Sequence, residues 1–245
     1  MDNLLIRDDT ISISSEKSSK SISQISPVSP FTLSNNQDIA EKCGQENWLI
    51  QNFISNGKYG STYVACDKEN CSFVLKIQKA DTSFYNEVSA LTDLQKTGLS
   101  PKIYDAWTCK GNGYIIMEKL VKCELTEEEI YKQIKSITRK LNKNGWLHVD
   151  IHSDNFLCRD NAKKIVMIDF GWAVKKGPLG NNQTYPYHPL SKRYRKPVTW
   201  EFLSVAQLRN SETAFNPQKT PEQIHEMEKV NKIYKNAKSD FLRIK

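Results

Sequence analysis

Leu147 to Cys158 reads LHVDIHSDNFLC, and His148, Asp150, His152, Asp154 and Asn155 crowd into eight positions between apolar neighbours. A hydrated turn between two core segments would use Asp and Asn in this way. A site that moves protons and holds a hard cation would use the same residues, because Asp and His serve as bases while Asp and Asn supply oxygen ligands. The stretch admits both readings, and the rest of the chain decides between them.

Upstream, the pattern is one of short apolar runs divided by turns. WLIQNFI, STYVAC, SFVLKIQ and YIIMEKL read as strands, with DKEN and KGNG as hairpin turns. Between the third and fourth runs, Phe84, Val88, Leu91 and Leu94 recur at helical spacing and the segment ends at Gly98, which predicts one amphipathic helix among the strands. Downstream of Leu125 the register is helical. Thr126 and Glu129 form a capping-box pattern, and Ile130, Ile134, Ile137 and Leu141 mark one face as far as Gly145. KIVMIDF reads as a short buried strand, and KKGPLGNNQTYPYHPLSKRYRKP as loop. Thr220, Pro221 and Gln223 open a last helix carrying Ile224, Met227 and Ile233. The opening stretch therefore falls in a loop at a junction, where functional groups are often held.

The first 45 residues differ in kind. Residues 11–36 hold ten serines and two Ser-Pro steps, with little that could form a core, and read as a disordered tail. The chain has 245 residues, and the remaining 200 suffice for one large domain or two modest lobes. Six cysteines show no C-x-x-C pair and no zinc-finger spacing, and MDNLLIRDD is not an apolar signal segment, so reduced thiols in an intracellular, cytoplasmic protein are expected. No apolar run approaches the roughly 20 residues of a membrane span. The formal charge of +7 has one compact cluster, KRYRK at 192–196, without a recognisable reader motif, and a nucleic-acid partner is not expected.

Further residues bear on chemistry. Gly57 and Gly60 lie in a turn between strands, where backbone amides can approach phosphate oxygens or simply form a hairpin. Lys76 stands in the apolar run FVLKIQ and needs an anion, for which the helix offers Glu87. Asp169 leaves the strand MI at its end, before Gly171, and is placed either to hold a metal or to form a turn.

In order along the chain, Gly57 and Gly60, Lys76, Glu87, Met117-Glu118, Asp150, Asn155 and Asp169 resemble the motif set of the protein kinase superfamily. HVDIHSDN looks like its catalytic loop, and DFG stands unaltered at Asp169 to Gly171. The resemblance runs from about Ile50 to Gly171. It implies an α+β, bilobal kinase-like fold: a disordered tail over 1–45, a strand-rich N-lobe with one helix over 46–120, and a reduced helical C-lobe over 121–245.

The resemblance also implies phosphoryl transfer from ATP with Mg²⁺. Lys76 would bind the α- and β-phosphates and be held by Glu87, with Gly57 and Gly60 over the phosphates. Asn155 and Asp169 would hold Mg²⁺, and Asp150 would take or orient the proton of the acceptor hydroxyl. Glu118 to Leu120 would offer backbone groups to the adenine with Met117 behind them, and Ala65 and Leu157 would line its faces or serve as ordinary core.

Several positions depart from the family. Ser55 stands for the first loop glycine, Thr62 for a valine, and only eleven residues separate Lys76 from Glu87. Val149 replaces the arginine that reads an activation-segment phosphate in many relatives. His152 replaces a lysine, a pattern similar to aminoglycoside and choline kinases and to compact atypical protein kinases. After Gly171 there is no A-P-E sequence, which is similar to reduced kinases such as the small kinase of the tRNA-modifying KEOPS assembly. The reading that results is a protein serine/threonine kinase acting on a protein substrate. A small-molecule phosphotransferase and a pseudokinase binding module are the alternatives.

Overall fold

The computed structural model describes residues 10–11, 43, 47–57, 60–159, 161–214 and 219–243. They form a mixed α+β architecture that divides into two compact units: Met1–Phe84 with Lys102–Lys119, and Tyr85–Pro101 with Leu120–Lys245.

The first unit is built on a six-stranded sheet of β1 (Thr10–Ile11), β2 (Leu49–Asn56), β3 (Gly60–Cys66), β4 (Phe73–Lys79), β5 (Ile103–Cys109) and β6 (Asn112–Glu118), in the order β1-β5-β6-β4-β3-β2. Every neighbouring pair is antiparallel. The four runs read as strands are strands. The Asp67 carboxylate takes the N–H groups of Glu69 and Asn70, both at 2.8 Å, and so closes the DKEN turn. Lys110 and Gly111, both at positive φ, form the two-residue turn between β5 and β6, which suits the twist of an antiparallel pair.

Period-two alternation sends Tyr63, Ala65, Phe73, Leu75, Ile77, Trp107, Tyr114 and Ile116 into one apolar cluster, within which Trp107 stacks on Tyr114. Strand β5 was not foreseen because Asp105 interrupts its apolar pattern; a register shift there lets the carboxylate accept from Trp48 Nε1 at 3.1 Å. Gly113 in β6 is needed for space, since a Cβ there would lie 2.3 Å from the Phe84 ring. Thr10 and Ile11 pair with Trp107 and Ala106. The rest of the serine-rich segment read as a tail lies outside the described residues.

Between Phe84 and Tyr85 the division of the chain cuts helix α1 (Thr82–Leu94), whose Val88, Leu91 and Leu94 are buried as their spacing predicts. The second unit continues with α2 (Glu127–Lys143). Its capping box is formed in both directions between Thr126 and Glu129, and its buried face is Ile134, Ile137, Thr138 and Leu141. Then come β7 (Trp146–Leu147), the hairpin β8 (Phe156–Arg159) and β9 (Lys164–Met167), β10 (Val174–Lys175), β11 (Thr184–Tyr185), α3 (Pro189–Tyr194), β12 (Val198–Thr199), α4 (Trp200–Thr213) and α5 (Pro221–Arg243). Leu147, Val149, Val174, Val198, Trp200, Phe202, Leu203 and Phe241 make a core cluster of this unit.

Two expectations are corrected, on the segment after Gly171 and on the cysteines, and the last helix is found where it is expected. The segment after Gly171 is not all loop, for it carries α3, whose N-cap is the side chain of His188. In α5 the buried residues are Val230 and Phe241, with Met227 partly buried toward the same side, whereas Ile224 and Ile233, nine positions apart and so on opposite flanks of the helix, are more than 40% exposed. The cysteines are not reduced thiols: Cys43–Cys109, Cys66–Cys71 and Cys123–Cys158 are disulfides. The DKEN turn brings Cys66 to Cys71. Mutual backbone bonds between Val121 and Cys158, at 3.1 and 2.7 Å, bring Cys123 within reach of β8. Among the described residues no helix is long and apolar enough to cross a membrane.

Candidate functional site

Polar residues of the 148–155 loop converge on one another within the second unit. Asn155 is buried at the end of a single 3-10 turn, Ser153–Asn155, that the side chain of His152 caps. The Asn155 side-chain amide donates to the Asp150 backbone carbonyl at 2.9 Å and lies 3.5 Å from the Asp150 carboxylate. His152 Nδ1 accepts a long bond from the Asp154 N–H at 3.4 Å, which leaves its proton on Nε2, 3.7 Å from the same Asp150 carboxylate. Asp150 thus has an amide and an imidazole N–H beside it, and it remains partly exposed.

His148 does different work. It is fully buried, and its Nε2 lies 2.8 Å from the Ile168 carbonyl, so Nε2 carries the proton and donates it. Burial holds its pKa below the usual imidazole range, and the ring meets Phe170 edge-on at 4.7 Å. This neutral ring ties the loop to the segment holding Asp169. A second tie is the Ile168 N–H, which donates to the Asn155 carbonyl at 3.0 Å. Asp169 itself adopts a left-handed conformation, φ 61 and ψ 70, at the entry to the turn Phe170–Trp172. That conformation is uncommon outside glycine, and Asp is among the residues that tolerate it. The Asn86 side chain reaches the Gly171 carbonyl at 3.5 Å.

For a divalent cation the donor set is chemically suited. The Asn155 nitrogen is committed to Asp150, which leaves Oδ1 as the end for a ligand, and Asp169 supplies a carboxylate. An amide oxygen and a carboxylate are hard donors of the kind Mg²⁺ takes alongside water and phosphate oxygens. Among the described residues no group of three or more His, Cys, Asp or Glu side chains is arranged to hold a metal ion, so a cation here would rely on that mixed set.

Glu87, in α1, is 1% exposed. Leu157 in β8 pairs with Val166 and is half-buried, as is Leu120.

In the first unit Lys76 is half-buried, with Thr62 and Ile115 as its cross-strand neighbours. Val64, Val74 and Met117 share its face by register. Ala65 does not. It pairs with Phe73 on the opposite face and is fully buried in the apolar cluster, which accords with the second of its two readings, ordinary core. Val64 and Val74 are the small apolar residues beside Lys76, and alternation counted from Lys76 would have found them. Glu118 stands at the end of β6, where its carboxylate accepts from the Lys102 N–H at 3.1 Å. Gly60 is required, because a Cβ would lie 2.1 Å from the Ile77 carbonyl; Gly57 has room for one, and its N–H donates to the Gly60 carbonyl at 2.8 Å.

The comparisons with known proteins bear on this arrangement. No family model matches the chain. The chain is similar to a serine/threonine-protein kinase D of Synechocystis sp., 26% identical over 156 residues that make up 54% of this chain and 31% of that protein. It therefore spans less than a third of that relative's length. This distant similarity, with the mixed α+β architecture, supports a relation to the broad protein-kinase-like superfamily.

Proposed function

We propose that the chain is an ATP- and Mg²⁺-dependent phosphotransferase of bilobal kinase-like fold, acting as a serine/threonine kinase on a protein substrate. The observation that carries this reading is the Asp150 carboxylate, flanked by the Asn155 amide and the His152 imidazole, in a loop bonded through His148 and Asn155 to the backbone of Ile168, next to Asp169. Phosphoryl transfer needs little covalent chemistry from the protein. It needs reactants positioned and charge neutralised.

In this reading Asp150 orients the acceptor hydroxyl and receives its proton, and His152 Nε2–H steadies that carboxylate. Asn155 and Asp169 would hold Mg²⁺, which when bound offsets phosphate charge. Lys76, held by Glu87, would bind ATP phosphates, with the backbone at Gly57 and Gly60 over them. Met117, Glu118, Leu120 and Leu157 would receive the adenine, and Val64 and Val74 join them in place of Ala65.

A second reading, phosphorylation of a small molecule, is favoured by His152 beside Asp150, since an imidazole there can meet a substrate hydroxyl. Incubation of the chain with labelled ATP and Mg²⁺ tests both, with a generic protein or an aminoglycoside as acceptor and Asp150→Ala as control. Label in the protein acceptor that Asp150→Ala loses is the expected result. Label in the aminoglycoside alone would favour the second reading, and equal label with both chains would exclude Asp150 from the chemistry.

A further inference from the structure

Basic side chains from α3, α4 and α5 gather around two tyrosines of the second unit. The Arg209 guanidinium, in α4, lies 4.8 Å over the Tyr234 ring, and its Nε donates to the Asn231 side-chain oxygen at 3.1 Å. That bond leaves both terminal nitrogens to other acceptors. Lys238, one turn beyond Tyr234 in α5, holds its ammonium 5.7 Å over the Tyr194 ring. The Tyr234 hydroxyl bonds to that of Tyr194. Burial raises the Tyr234 pKa to about 12, while Arg209 and Arg193 pull it the other way, so both guanidinium groups lie near the hydroxyl pair.

Among the described residues none of Arg193, Arg209 and Lys238 meets a carboxylate within ion-pair distance. The sequence gives the reason. From Lys229 to Arg243, α5 carries four lysines and an arginine against Asp240 alone, and Asp240, two positions from Lys238, points to another side of the helix. Cations gathered in this way repel one another. The tyrosine faces offset part of that repulsion through cation–π attraction, and a bound anion would offset the rest.

We propose that Arg193, Arg209 and Lys238, with the Tyr194 and Tyr234 hydroxyls, form a docking site for one phosphate monoester, the phosphoserine or phosphothreonine of a partner protein. Such a group carries a charge of about −1.5 to −2 at pH 7 and three strong acceptor oxygens. Guanidinium forks take two oxygens in parallel, and an ammonium serves the third as a point charge. Nucleic acid fits this place less well. Its bases need open aromatic faces, but Arg209 lies over Tyr234, Lys238 lies over Tyr194, and Phe202 and Phe241 are buried against each other at 4.6 Å. Its phosphates also come in an extended row, whereas these cations surround one hydroxyl pair. The proposal stands apart from the phosphotransferase reading, because it is judged by binding alone.

The test is fluorescence anisotropy on the full chain with a labelled peptide that carries one phosphoserine among glycine and alanine. The unphosphorylated peptide and a short single-stranded oligouridine RNA are measured beside it. Arg193→Gln, Arg209→Gln and Lys238→Gln are compared with the wild type, each with a thermal melt. The phosphopeptide is expected to bind saturably, and the unphosphorylated peptide about tenfold or more weakly. Each arginine variant is expected to weaken phosphopeptide binding by about tenfold or more, and Lys238→Gln by a smaller factor, since an ammonium makes no fork.

Equal binding of the two peptides, or phosphopeptide binding that all three variants leave unaltered, would overturn the proposal. So would an RNA that binds more tightly than the phosphopeptide and is lost in the same variants, for the site would then belong to nucleic acid. Arg209→Gln also removes a bond between α4 and α5, and should its melt fall, Arg193→Gln decides, because Arg193 is exposed and makes no hydrogen bond among the described residues.

Discussion

The Asn155 side-chain amide donates to the backbone carbonyl of Asp150 at 2.9 Å, closing the loop between them on itself. The same bond turns the amide oxygen outward and holds the amide nitrogen 3.5 Å from the Asp150 carboxylate. One residue therefore shapes the loop and presents a ligand. Asn155→Ala is expected to lower phosphoryl transfer by about 100-fold or more, and Asp150→Ala by a similar factor, since positioned general acid or base groups contribute on the order of 10²–10⁴-fold. Circular dichroism should show both variants folded. Loss of activity only together with loss of helix signal would make Asn155 a structural residue alone.

Asp169 and Lys76 are tested by substitutions that leave the fold in place. Asp169→Asn keeps the size of the side chain and a hydrogen-bonding group at a left-handed position that Asn tolerates, so the turn survives while the charge does not. Metal-dependent turnover should fall to background in this variant, because charge on the phosphates then goes uncompensated. Lys76→Met should do the same without lowering the melting temperature, for Lys76 is only half-buried on a sheet face with Val64 and Val74. Near-normal rates with ordinary Mg²⁺ saturation in Asp169→Asn would defeat the metal assignment, and unchanged turnover in Lys76→Met would defeat the phosphate one.

Val149 carries no charge and is buried among apolar residues, so a phosphate on the segment 172–196 finds no cation at this position. Activity is accordingly expected to be independent of phosphorylation there. Treatment with a phosphatase before assay should leave the rate within about twofold, whereas a tenfold loss would mean that another cation, within Lys192 to Lys196, binds such a phosphate.

Much of this was legible in the residues, and the misses have physical causes. Alternation located β2, β3, β4 and β6, and helical spacing with a capping box located α2. The residues left Ala65 open between an adenine face and core, because a sheet has period two and a slip of one residue exchanges core for surface; its pairing with Phe73 puts it in the apolar cluster. In α5 the packed side runs through Met227, Val230, Tyr234 and Phe241 with Ile224 and Ile233 on its two flanks, and the presence of apolar residues in the sequence does not say which of them finds a partner. The Cys43–Cys109 and Cys123–Cys158 pairings depend on which strands meet, and cysteine spacing carries no trace of them, whereas Cys66 and Cys71 flank the DKEN turn. The amides of Gln207 and Asn210 in α4, which bond to the His148 and Val149 backbone, were invisible for another reason. An amide in a helix has no sequence signature, and its use emerges only where a backbone lacks a sheet partner, as at His148 and Val149.

The Cys123–Cys158 disulfide closes a separation of 35 residues and joins the segment after Leu120 to β8, one residue from Leu157. Restricting the unfolded chain over a loop of this length is worth about 3–5 kcal/mol by the chain-entropy account. Cys123→Ser/Cys158→Ser, or a thiol reductant, is expected to lower the melting temperature and to loosen β8, raising the KM for ATP. Such bonds persist in oxidising surroundings and are reduced by the cytosolic thiol pool, so the cytoplasmic expectation and the three disulfides pull in opposite directions. Thiol counting on protein purified under alkylating conditions separates them: six blocked thiols would restore the expectation of reduced cysteines.

The last prediction concerns His188, which is buried and caps α3. Its Nδ1 accepts from the Leu190 N–H at 3.1 Å, so the proton sits on Nε2, which donates to the Trp172 carbonyl at 3.1 Å. The first of these bonds requires the neutral ring, and burial pushes its pKa down to about 4 from an ordinary value of 6.5, against the Trp172 bond, which favours the charged form. With the folded value depressed, the unfolded chain binds the extra proton first. The stabilisation is therefore fully present above pH 6.5 and is lost as pH falls through 6.5 towards 4, a change of about 3 kcal/mol in total. His148, depressed by burial as well, adds to the loss in the same direction. Denaturant unfolding between pH 7.5 and pH 4.5 should show stability declining with acid, as expected for buried neutral histidines. In His188→Asn the side-chain oxygen can still take the Leu190 N–H, but the ionisation is gone, so the variant should start less stable at pH 7.5 and decline less steeply. Parallel curves for the two chains would show that His188 does not titrate over this range.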